Sequence, residues 1–121
     1  MNKTFTHNEL QDIACSWLKK NRRAHGPGCH IALKEVGAIF NGERADAWGY
    51  RWGGTTNGIE HGSVLVEIKT SRSDFLADAV KPHRAGITVG MGRYRYYMCP
   101  EGLITLDDVP HGWGLLWVNH K

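Results

Sequence analysis

The chain has 121 residues, 41% hydrophobic and 22% charged, with a formal net charge of +3. That composition fits one ordinary globular domain over residues 1–121 and excludes a disordered tail or a fibrous repeat. Cys15, Cys29 and Cys99 are odd in number and form no CxxC, the N-terminus lacks a signal peptide's apolar run, and no stretch nears the ~20 apolar residues of a membrane helix. A reduced, cytoplasmic protein with no membrane partner is therefore expected.

Thr6 followed by Glu9 is a capping box, and Leu10, Ile13, Ala14, Trp17 and Leu18 recur with helical period, which predicts an amphipathic helix over about 7–22. Lys19, Lys20, Arg22 and Arg23 crowd its end, where they either answer the negative pole of the helix dipole or offer a patch to a polyanion. Gly26-Pro27-Gly28 breaks the helix into a loop. Val36 to Phe40, the turn dipeptide Asn41-Gly42 and the segment from Arg44 to Trp52 read as strand, turn and strand. In the second of these strands Arg44, Asp46, Trp48 and Tyr50 share one face, while Ala45, Ala47 and Gly49 leave the other open to close approach.

The turn-rich run Gly53 to Gly58 leads to a third strand over Ser63 to Lys69. Ser71 or Ser73 then caps a helix reaching Val80, with Phe75, Leu76, Ala79 and Val80 as its apolar stripe and Pro82 as its stop. Arg93 to Cys99 and Gly114 to Val118 complete the strands. The predicted order is αβββαβ plus a terminal strand, a single α/β domain.

On the third strand Glu67 and Lys69 emerge on one face, with Ile68 and its carbonyl between them, and Asp46 can join from the neighbouring strand. Two carboxylates and a carbonyl are hard oxygen donors of the kind Mg²⁺ or Mn²⁺ accepts, with positions left for water and a substrate phosphate. The ammonium of Lys69 beside them would oppose charge developing on a phosphodiester, or act on the attacking water. An isolated Glu-x-Lys is equally an alternating, half-solvated strand; what singles it out is the chain order of Asp strand, Glu-x-Lys strand and capped helix.

Arg44-Ala45-Asp46, Val66-Glu67-Ile68-Lys69-Thr70-Ser71 and Asp74-Phe75-Leu76-Ala77-Asp78 resemble the PD-(D/E)XK nuclease superfamily, nearest to small bacterial and phage members such as the MmcB-like, DNA-repair-associated group. The likeness spans about residues 35–100, and Ala45 replaces the proline of the family's name. It implies a restriction-endonuclease-like core with a mixed central sheet flanked by helices, and Mg²⁺- or Mn²⁺-dependent cleavage of DNA in repair, recombination or phage DNA metabolism. It also implies that Asp46 and Glu67 are metal ligands together with the Ile68 carbonyl, that Lys69 is the catalytic lysine, and that Glu35 is an additional upstream acid. The superfamily includes members that bind without cutting, so the alternative is an inactive nucleic-acid-binding or protein-inhibiting module.

Arg72, Lys81, Arg84 and Arg93 are the candidate phosphate contacts, each also readable as a solubilising surface charge. Tyr94 and Tyr96 form either a stacking platform or a core strand with a charged rim. His25, Cys29 and His30 suggest a zinc site less well than satisfied loop residues, and turn chemistry accounts for Asp107-Asp108. A chain this small, without lid or second domain, is expected to hold DNA as a homodimer or within a larger DNA-processing complex.

Overall fold

The computed structural model describes residues 4–37, 44–53, 61–79 and 92–120. The predicted turns at Asn41-Gly42 and over 54–58, the residues Val80 and Pro82, and the candidate contacts Lys81 and Arg84 lie outside them.

Helix α1 runs His7–Lys19. Its capping box forms as the sequence predicts: Glu9 N donates to Thr6 Oγ1 at 3.1 Å and Thr6 N donates to Glu9 Oε1 at 3.0 Å. The helix ends short of residue 22 because Lys20 is extended, with φ −67° and ψ 139°, and Arg22–Ala24 forms a separate 3-10 turn. The chain then doubles back so closely that a Cβ at Gly26 would collide with Lys20, and Cys29 N donates to Leu18 O at 2.7 Å.

Strands β1 (Ile31–Gly37), β2 (Arg44–Arg51), β3 (Gly62–Ile68), β4 (Tyr94–Pro100) and β5 (Trp113–Val118) form one sheet in the order β1-β2-β3-β4-β5. The first three strands are antiparallel, whereas β4 runs parallel to β3 and β5 parallel to β4. Helix α2 (Arg72–Ala79) makes the crossover that a parallel β3–β4 pair requires. The protein is thus α/β, a five-stranded mixed sheet with two helices.

The sheet separates two apolar layers. On one side Leu10, Ala14 and Leu18 of α1 pack on Ala47, Val64, Val66, Ile68 and Met98. On the other, Phe75 of α2 packs with Leu65, Tyr97, Cys99, Ile104 and Trp113. The small face of β2 does admit a close neighbour: a Cβ at Gly49 would lie 2.9 Å from Cys29 Sγ. The apolar stripe of α2 differs from the sequence reading. Leu76 is 56% exposed, and the inward position three residues after Phe75 belongs to Asp78, 2% exposed. Among the described residues no helix is long and apolar enough to cross a membrane.

Candidate functional site

Where β2 begins and β3 ends, the ladder pairing Ala47 with Val66 stops, so Asp46 and Glu67 stand next in register across the strands. Side chains directly opposite in an antiparallel pair share a face, with Cβ atoms roughly 5 Å apart. Here β2 bends away. Asp46 Oδ2 accepts from Ile68 N at 2.8 Å, its carboxylate standing where a ladder carbonyl would otherwise be. The carbonyl of Asp46 turns to α1 and accepts from Gln11 Nε2 at 2.8 Å. On the other flank Glu35, opposite Asp46, is missing from the β1–β2 pairing and has φ +55°, a left-handed conformation uncommon for a residue with a Cβ. Backbone irregularity of this kind gathers where a strand re-aims a side chain.

The bend opens a cleft of about 370 Å³. Asp46, Glu67, Ile68 and Lys69 line it, together with His7 from the start of α1 and Asp78 from α2. Glu67 is 4% exposed. An antiparallel strand aims the N–H and C=O of one residue to the same side, so the Ile68 carbonyl follows its N–H toward the Asp46 side. Lys69 N donates to Met98 O at 2.9 Å, which holds the backbone just past β3 against β4.

Two side-chain contacts complete the cleft. His7 Nε2 lies 3.3 Å from Asp46 Oδ1. Lys69 Nζ lies 3.6 Å from Asp78 Oδ1, and Tyr97 Oη donates to Asp78 Oδ2 at 2.8 Å. Asp78 therefore anchors the lysine at the cleft wall while its other oxygen is tied to strand β4. Sequence reading singled out neither His7 nor Gln11, which reach Asp46 from more than thirty residues away in the chain. Asp78 had a legible signal, since it follows Phe75 at the i+3 spacing of one helix face.

The predicted residues divide accordingly. Asp46, Glu67, Ile68 and Lys69 come together in one cleft. Glu35 does not line it; exposed on β1, it reaches Arg44 Nη2 at 4.0 Å. Arg72 is turned to the β4–β5 connection, where Nη1 and Nη2 donate to Asp108 at 3.0 and 3.2 Å and Nη1 also donates to the Leu103 carbonyl. Those bonds from Arg72, then those from Thr105, hold the Asp108 carboxyl well below the usual carboxylate range, so the turn role predicted for this residue extends to a clamp. Arg93 Nη1 donates to His61 O at 3.0 Å, and its guanidinium lies over the Tyr94 ring. Tyr96 packs edge-on against Trp17 of α1 and belongs to the core layer.

No family model, curated protein or solved structure matches this chain. Among the described residues no three His, Cys, Asp or Glu side chains converge as a metal cage. The cleft instead offers two carboxylates and one carbonyl, oxygens of the hard type that could hold a small divalent cation retaining several waters.

Proposed function

We propose that the protein is a Mg²⁺- or Mn²⁺-dependent nuclease that hydrolyses phosphodiester bonds in DNA, built on the restriction-endonuclease-like core of the PD-(D/E)XK superfamily. What carries this reading is the convergence of Asp46, Glu67, the Ile68 backbone and Lys69 on one cleft beside a bent β2. Asp46, Glu67 and the Ile68 carbonyl would hold the cation, which supplies Lewis-acid stabilisation of charge on the phosphodiester. The protein's own part is electrostatic and positional. Asp78, itself hydrogen-bonded by Tyr97, orients the Lys69 ammonium along the cleft wall, where it opposes negative charge on a phosphate. Gln11 fixes the Asp46 backbone and keeps the carboxylate turned to Ile68.

One observation favours a second reading, a module that binds nucleic acid or inhibits a protein without cutting. His7 already stands against Asp46 and Asp78 against Lys69, so each of these four cleft groups has a partner within the chain. Calorimetric titration with Mn²⁺, paired with cleavage assays on linear, circular and single-stranded DNA, separates the two. The nuclease reading expects metal binding that is lost in Asp46→Ala and cleavage abolished by EDTA. DNA binding that persists in EDTA, with neither metal binding nor cleavage in the wild type, supports the second.

A further inference from the structure

The geometry points to single-stranded DNA as the substrate form, carried to the cleft along a row of aromatic rings on β2. The direction of travel rests on the nuclease reading; the binding track itself does not. Beyond Asp46, Trp48 and Tyr50 of β2 share a face by strand periodicity, and Trp52, one residue past the strand, continues their row. Their ring centroids are 6.1 Å apart from Trp48 to Tyr50 and 6.3 Å from Tyr50 to Trp52. The rings are tilted by 35° and 32° to their neighbours and so make a stepped platform along the strand, on whose faces bases can stack.

The outer end of the row is prearranged and open. Trp52, 55% exposed, stacks on His30 at 3.9 Å, and its backbone N–H donates to His30 Nδ1 at 3.2 Å, which holds the imidazole against the indole. In the neighbouring strand Ile31 and Leu33, paired with Tyr50 and Trp48, are exposed as well. α2 covers the sheet further along, with Phe75 against Tyr97, so this apolar face extends beyond the packed layer.

Charge selects the occupant. Arg44 lines the cleft at the inner end of the row, and Arg95, paired through Leu65 with Trp48, lies over the Trp113 ring at 5.2 Å. Aromatic faces between cationic groups suit bases on a phosphate backbone. In a duplex those base faces are already covered by their neighbours, which leaves the unpaired strand as the form that can use the row.

The test is fluorescence anisotropy in EDTA with a labelled (dT)12 and a hairpin duplex of equal charge, with circular dichroism to check the fold. Wild type is expected to bind (dT)12 more tightly than the duplex. Trp52→Ala should weaken (dT)12 binding by about fivefold or more, the effect of losing one stacked base, and Trp52→Phe should restore most of it. Ile31→Glu, at an exposed position opposite Tyr50, should weaken binding without touching a ring. Equal (dT)12 affinity in wild type, Trp52→Ala and Ile31→Glu overturns the track, as does a preference for duplex or a dimer sealed through this face in sedimentation. Asp46→Ala keeps the binding arm separate from catalysis: retained, ring-dependent (dT)12 affinity supports the track, while absence of Mn²⁺-dependent cleavage in the wild type overturns only the nuclease reading.

Discussion

Replacing Tyr97 with Phe removes one oxygen from the centre of the molecule and leaves almost everything else in place. The ring keeps its edge contact with Phe75 at 5.1 Å and its stack on Trp113 at 4.5 Å. What disappears is the 2.8 Å hydrogen bond to Asp78, a carboxylate almost wholly shielded from water. A hydrogen bond to a charged group contributes about 1.5–3 kcal/mol. With a urea slope of about 1–3 kcal/mol/M, the unfolding midpoint should fall by roughly 1 M at unchanged slope. The same substitution made on Asp78→Asn tests the origin of the cost. A neutral acceptor should reduce the penalty to about 1 kcal/mol, the typical value for an uncharged pair. Urea denaturation followed by circular dichroism measures both. A midpoint within about 0.2 M of wild type, or an identical penalty in the two backgrounds, would refute the claim that a buried carboxylate is held by this hydroxyl.

If the proposed nuclease activity is present, Lys69→Ala should leave the calorimetric Mn²⁺ response in place and lower cleavage by about 10²-fold or more, comparable to loss of one electrostatic group at a reacting phosphate; equal rates would remove the lysine from the proposed mechanism. Gly114→Ala should cost about 1–3 kcal/mol in urea denaturation, because the added methyl meets the Tyr96 ring across the β4–β5 pair. The Arg72–Asp108 clamp sets a pH dependence. Asp108 has its pKa depressed, so its stabilisation is complete above the unfolded carboxyl value of ~3.9 and is lost as pH falls through the folded value. The stability difference between wild type and Asp108→Asn should therefore be constant near neutrality and shrink below about pH 4 in acid-titrated thermal melts. Burial raises all three thiols, Cys29 to about 11, so a thiol reagent at pH 8 should label half-buried Cys15 first, with Cys29 and Cys99 reacting only on unfolding.

The legible features were those written in local chemistry. The capping box, the two-residue alternation of β3 and of β2 beyond Asp46, and the Glu-Ile-Lys run each appear within a few residues, and the structure has a helix, two paired strands and a shared cleft at those places. Ala45, read on the face of Ala47, packs instead in the opposite layer, because the alternation breaks at Asp46. Features set by distant residues were not legible. The bend at Asp46 depends on Gln11 and on the left-handed Glu35, neither of which alters the pattern of β2 itself. Leu76 belongs to the predicted apolar stripe, yet the turn geometry of α2 gives the inward place to Asp78, whose burial is tolerable because Tyr97 and Lys69 lie beside it. Arg72 illustrates the same limit for charge: its proximity to the Glu-Ile-Lys run suggested phosphate contact, and the partner that captures it, Asp108, lies 36 positions onward.

The cleft draws on α1, β2, β3 and α2, with its lysine steadied through β4, so no fragment of the chain owns it. Its assembly waits on pairings between strands remote in sequence, contacts that form late because closing long loops is entropically costly. Whatever chemistry resides there should thus be lost as soon as the native packing gives way, so that a functional readout would serve equally as a gauge of how many molecules are folded.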